Sequence, residues 1–271
     1  MKVQPAQFRE VVWTHYTQHG RHDLPWRKTT DPYKIVVSEM MLQQTQVSRV
    51  LPKYKAFVKQ WRSARALANA PLSAVLEAWQ GLGYNRRAKS LHECAKQVVQ
   101  EHDGRWPRTY AELLKLPGIG PYTAGAVMAF SYNEPVPIIE TNIRTVYLHH
   151  FFADVNKVTE IEILRLSADY LDQKNPREWY WALMDYGAHL KQAVGNPNKR
   201  AISYTKQSPF AGSDRQIRGA IIKLLTTGSY TLAAIHASLA QFSNERIARQ
   251  LVKLTNENMV QKHRQRYSLP D

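Results

Sequence analysis

Two carboxylates and one glycine-rich turn are the parts of this sequence best suited to chemistry. Glu39 stands in the run VVSEMML, where most of its neighbours are apolar. Burial of that kind raises a carboxyl's pKa and leaves it able to donate a proton. Glu140 sits in Glu140-Thr141-Asn142, just ahead of the helical run NIRTVYLHHFF. An acid at a helix start is favoured by the helix dipole. The turn is LLKLPGIGPYTAGA, residues 113–126. Gly118 and Gly120 permit tight geometry and close backbone approach. The helix that follows starts with unpaired amides, at Tyr122 and Thr123, that can hold a phosphate oxygen.

Positioning these groups takes helices. Residues 5–19 place Phe8, Val11, Val12 and Tyr16 on one face. DPYKIVVSEMMLQQTQVSRVLPKYKAFVKQW holds two helices. LSAVLEAWQGL, RRAKSLHECAKQVVQEH, TYAELLKLP, TAGAVMAFSY, NIRTVYLHHFF and REWYWALMDYGAHLK continue the helical period. Strand signals are sparse, so the fold class is all-α. A polar, Pro- and Gly-bearing stretch at 191–213 reads as a linker. After it come three short helices, and MVQKHRQRYSLP then alternates like a β-hairpin. Three helices and a basic hairpin suggest a winged-helix-like module over 214–271. Arg246, Arg249, Lys253, Lys262, Arg264 and Arg266 would then contact phosphates.

The 271 residues hold 37 Lys+Arg against 22 Asp+Glu, a formal net charge of +15. A basic protein of this kind meets a polyanion, and nucleic acid is the first choice. No run is apolar and long enough to span a membrane, and the N-terminus lacks a signal peptide's apolar core. The expected compartment is the bacterial cytoplasm, and the expected state is a monomer. Cys94 is the single cysteine, so no intrachain disulfide, all-cysteine metal site or iron–sulfur cluster can be assembled. It falls in an amphipathic helical run and is expected to be a buried thiol. No cofactor or metal is expected.

Several blocks, in order, resemble the MutY-type adenine glycosylases of the helix-hairpin-helix (HhH-GPD) DNA glycosylase superfamily. They are DLPWR (23–27), DPYKIVVSEMMLQQTQV (31–47), WQGLGYNRRA (79–88), LPGIGPYTAGA (116–126) and PIIETNIRTV (137–146). The resemblance spans about residues 5–190. It implies an endonuclease III-like, two-module helical domain over 1–190. One module has six helices at about 25–132, and the other is built from 1–24 and 133–190. It also implies a double-stranded DNA partner containing a mispaired or damaged base, with hydrolysis of that base's N-glycosidic bond. By resemblance Glu39 protonates the leaving adenine and handles the water, and Glu140 faces the cation-like sugar. Tyr122 takes the place where bifunctional relatives carry a Schiff-base lysine, so lyase activity should be weak. Leu42, Gln43, Gln44 and Tyr84 resemble the residues that wedge into the stack when a base is flipped. Trp26, His22, Arg27 and Asp185 fall near the family's base pocket. Gly118, Gly120, Tyr122, Thr123, Arg86, Arg87 and Asn142 are expected at phosphates.

The chain departs from this family in four places. Glu140 stands where the family has aspartate, one methylene shorter. His22 replaces a basic residue. The four cysteines that usually follow the segment WALMDYGAHLK are missing. The last sixty or so residues do not resemble the family's 8-oxoguanine-recognising module. Adenine opposite guanine or 8-oxoguanine is therefore the leading substrate. Thymine or uracil opposite guanine is an alternative, and so is DNA binding without catalysis.

Overall fold

Phe8, Val12 and Tyr16 fall one turn apart, and that spacing turns Pro5–His19 into the helix α1, buried along one edge. Val11 stays 43% exposed, outside the face expected for it. The computed structural model describes residues 4–271. Further along lie α2 (Pro32–Leu42), α3 (Val47–Gln60), α4 (Ala64–Ala68), α5 (Leu72–Ala78) and α6 (Arg86–His102). Next are α7 (Tyr110–Leu113), α8 (Pro121–Tyr132), α9 (Thr141–Phe151), α10 (Glu160–Asp169) and α11 (Pro176–Ala193). The chain closes with α12 (Asp214–Leu225), β1 (Tyr230–Thr231), α13 (Leu232–Ser238), α14 (Asn244–Asn256), β2 (Gln261–His263) and β3 (Arg266–Ser268). The fold is mostly helical, as the periodicity implies. α4, α10 and β1 are additions that the sequence reading did not single out.

The chain divides into two compact units. The first comprises residues up to Val36, then Pro107–Lys115 and Ile119–Lys206. Its centre is α11, packed against α1, α8 and α9. Phe8 meets Tyr147 and Trp179 there, with ring centroids 5.8 and 5.9 Å apart. α8 is buried from Thr123 to Ser131, and Phe130 reaches Trp181 on α11. That burial groups 121–132 with α11, whereas the sequence reading assigns the segment to the six-helix module. Gly187 on α11 lets two backbones approach: an added Cβ would lie 2.1 Å from the Asn142 carbonyl oxygen.

The second unit comprises Val37–Trp106, Leu116–Gly118 and Gln207–Asp271. α6 packs on α4 and α5, while α12, α13 and α14 pack on one another. The strands pair antiparallel in the order β1–β3–β2, with Tyr230 and Lys262 both opposite Tyr267. Helix, strand, two helices and a two-stranded hairpin follow one another in the order expected of a winged-helix-like module. It is tied to the rest of its unit: Ser73 N donates to Pro270 O at 3.0 Å, and Arg86 pairs with Glu257.

The stretch 191–213 is only partly a linker. α11 runs on to Ala193. Asn198, 3% exposed, donates to Thr145 Oγ1 at 2.7 Å. Val158 and Ala201 form an isolated parallel bridge, and Arg200 Nη1 donates to Leu148 O. Polar side chains lock this segment, so it shows no hydrophobic period.

Candidate active site

α2 begins where Asp31 Oδ1 accepts the Tyr33 amide at 3.0 Å. Two turns later Glu39 is 6% exposed, among Val36, Val37, Met40 and Met41, each at 1% or less. The helix ends at Leu42, and its last carbonyls need donors. Arg87 supplies them. Its Nη1 donates to Met40 O at 2.6 Å, Met41 O at 3.0 Å and Gln43 O at 2.7 Å. Its Nη2 donates to Thr45 Oγ1, Leu82 O and Gly83 O. Arg87 is 9% exposed, and burial lowers its pKa to about 10. The expected phosphate contact at Arg87 is therefore corrected. The residue fastens the LQQT turn to the GLGY turn through its two terminal nitrogens, whose forked donors reach carbonyls of both turns.

The two turns fastened in this way are strained and open. Gln44 has φ +54° and Tyr84 φ +48°, both left-handed. Gln44 is exposed, Tyr84 is 37% exposed, and Leu42 and Gln43 are half-buried. The structure thus brings the four expected wedge residues together. Arg86, next door, is exposed and pairs with Glu257, which also takes Arg218. Burial raises the Glu257 pKa, but Arg86 and Arg218 outweigh it and hold the carboxyl down at about 2.

In the hairpin, Thr109 Oγ1 accepts the Glu112 amide and starts α7. Gly118 has φ +75°, and an added Cβ would meet Ser90 Cβ at 2.7 Å and Met40 Cε at 2.8 Å. Gly120 caps α8 in extended conformation with open space where a Cβ would go, and Pro121 follows at the first helical position. Tyr122 and Thr123 follow in the first turn of α8, where the Thr123 side chain is 2% exposed.

Glu140 is the N-cap of α9. Oε1 accepts Asn142 N at 2.7 Å and Ile143 N at 2.8 Å, and Oε2 accepts Asn142 Nδ2 at 3.3 Å. Burial pushes its pKa up against these donors.

Asp185 is bonded to two arginines. Arg27 Nη1 donates to its Oδ2 at 2.7 Å and Nη2 to its Oδ1 at 2.9 Å. The Arg21 amide and Nε also donate to it, at 2.8 and 2.7 Å. Burial raises the Asp185 pKa, but the Arg27 and Arg21 contacts overcome this and hold the carboxyl below its usual range. Arg27 and Asp185, expected at a base pocket, are thus committed to each other. Arg21, not singled out in sequence, completes the pair. His22 Nε2 lies 3.0 Å from Tyr16 O, and Trp26 is 6% exposed.

An iron–sulfur cluster does not fit this chain. Four thiolates are needed, whereas Cys94 is alone, fully buried in α6, its thiol pushed up to about 12 by burial. Among the described residues no helix is long and apolar enough to cross a membrane.

The architecture is that of helix-hairpin-helix DNA glycosylases. A thermostable thymine-DNA glycosylase is similar at a TM-score of 0.62 and 27% identity, covering 68% of this chain and 86% of that one. An endonuclease III–DNA complex shares the fold at a TM-score of 0.60 and 17% identity, covering 71% of this chain and 89% of that one. The family model of the HhH-GPD superfamily base excision DNA repair proteins matches residues 37–169. An adenine DNA glycosylase of Mycolicibacterium smegmatis is 38% identical over 242 residues, 83% of this chain and 81% of that protein. The chain belongs to the adenine DNA glycosylase family of the HhH-GPD superfamily.

Proposed function

We propose that this chain is a monofunctional DNA glycosylase that removes adenine mispaired with guanine or 8-oxoguanine, acting as a monomer and without a cluster. The observation that carries the reading is the single carboxyl of Glu39, buried among apolar side chains just before the wedge turn. A carboxyl in such a place can deliver a proton to a leaving base. Glu39 gives its proton to the leaving base as the glycosidic C–N bond breaks. Water then adds to C1′, and its proton returns to the Glu39 carboxylate. Free base and an abasic site result. Glu140 carries the negative charge that offsets the cation-like sugar. The hairpin amides of Tyr122 and Thr123 hold a phosphate. Tyr122 offers no amine, so no Schiff base forms and the strand stays uncut.

A second substrate class has one specific support, the likeness to a thymine-DNA glycosylase. Duplexes carrying A:8-oxoguanine, A:G, T:G and U:G, scored for strand breaks after alkali, separate the two. Breaks at the adenine strands are expected, with none before alkali. Breaks at T:G or U:G alone would replace adenine with a pyrimidine, and no breaks in any duplex would leave a DNA-binding protein.

A further inference from the structure

Two side chains from the far end of the sequence meet the wedge turns. Gln207 Nε2 donates to Gln44 Oε1 at 3.0 Å and also to the Tyr84 hydroxyl. Arg215 Nη1 donates to that same hydroxyl at 2.7 Å, and its guanidinium lies 5.6 Å from the centre of the Tyr84 ring. The Arg215 fork is aimed by its other nitrogen, which donates to Ser208 O at 2.6 Å. α12, which carries Arg215, is fixed in turn by the Arg218–Glu257–Arg86 bridge.

Folding alone is a poor reason for this cluster. Its hydrogen bonds are exposed, where each adds little to stability. Ordering Gln and Arg side chains costs entropy. Gln44 and Tyr84 also hold left-handed backbones, which cost free energy in residues other than glycine. Strain and order at an open surface suit a ligand.

We propose that Gln207 and Arg215 are specificity-determining residues that hold the base left behind in the duplex and select a guanine-type purine. The inference rests on Gln44 and Tyr84 being wedge residues, part of the function proposed above. Flipping one base leaves its partner unpaired beside the inserted wedge, with its Watson–Crick and major-groove edges both open to side chains. Whatever is bonded to the wedge arrives beside that base. The parallel donors of a guanidinium match the O6 and N7 acceptors of guanine. The Gln207 amide adds one donor and one acceptor. The acceptor suits 8-oxoguanine, whose N7 carries a proton. Cytosine offers a donor and thymine one acceptor with a methyl group, so neither satisfies the fork.

The test is binding, which needs no catalysis. Duplexes with a tetrahydrofuran abasic analogue opposite 8-oxoguanine, guanine, cytosine or thymine are titrated with wild type, Gln207→Ala, Arg215→Ala and Arg215→Lys. Thermal melts confirm that each variant is folded. Wild type should prefer the two purines. Arg215→Ala should weaken binding opposite guanine about tenfold and opposite 8-oxoguanine less, since only O6 accepts there, while binding opposite the pyrimidines falls by about twofold or less. Lysine should not restore the lost preference, since it lacks the fork. Gln207→Ala should act mainly opposite 8-oxoguanine. Equal weakening against all four partners, a preference kept by both alanine variants, or no preference in wild type overturns the proposal. If wild type excises no adenine yet shows the preference and Arg215→Ala removes it, the adenine reading falls and this assignment stands.

Discussion

Glu39 and Glu140 carry the same carboxyl into opposite surroundings. Glu39 sits within α2, among side chains almost wholly removed from water. Glu140 sits at the first turn of α9, where two backbone amides and the Asn142 amide group meet its oxygens. The backbone explains the contrast. Mid-helix amides are consumed by the i to i−4 ladder, whereas first-turn amides are vacant. A carboxyl at a helix start can therefore take donors from the helix itself, as Glu140 does, whereas a carboxyl within a helix must find any donors outside its own backbone ladder.

The sharpest way to break this contrast is Glu39→Gln. Single-turnover excision should fall about a thousandfold or more, while DNA affinity changes little. A rate near wild type would remove Glu39 from the chemistry. Next comes Gly187→Ala. The new methyl group would press on the Asn142 carbonyl, and overpacking of this kind costs about 3 kcal/mol. Thermal denaturation should show a drop of several degrees, and excision should fall as the α9 start shifts. An unchanged melt would mean that α9 and α11 separate freely.

Glu140→Gln should slow excision about a hundredfold, since a neutral amide cannot offset a cation-like sugar. Glu140→Asp keeps a good cap and a charge, so its melt should match wild type while its rate falls less than that of the amide variant. Glu140 must also be ionised to act, and burial raises its pKa above the ordinary value of 4.5. The rate should therefore climb with pH on the acid side, along a limb that Glu140→Gln lacks. Equal rates for all three proteins would leave Glu140 as a cap alone.

The smallest effect calibrates the pair with a third carboxyl. Glu257 is held at about 2, below its ordinary 4.5. A depressed carboxyl contributes stability above its unfolded pKa and loses it as pH falls through the folded one. Wild type should thus lose stability over Glu257→Gln between about pH 4.5 and 2, seen as converging melts. A constant gap across that window would mean that the bridge to Arg86 and Arg218 adds nothing.

Much of this was legible in the sequence. The helical period marks α2, α3, α6, α8 and α11, and alternation marks the β2–β3 hairpin. The two-residue β1 is too short for any pattern. Arg86 and Arg87 look alike as neighbours, yet one is exposed and the other buried. The signal was there: Arg87 lies one turn before Leu91, in register with buried Cys94 and Val98. The Arg21–Asp185 contact was not readable, because it joins residues 164 positions apart. The cap at Glu140 was legible as a helix-start acid, but its reach to the Asn142 and Ile143 amides depends on side-chain conformation.

The boundary between the two units falls inside α2, after Val36, and the first unit draws on three separate stretches of chain. For a ribosome making this protein, nothing finishes early. The first unit cannot close until Lys206 has emerged, and the second waits on residues beyond it. Through most of synthesis the apolar run around Glu39 has no complete unit to shelter it. Long-range closure of this kind is slow and exposes sticky surface. The nascent chain, more than the finished enzyme, is where this fold is vulnerable, and helper proteins that shield apolar segments would act there.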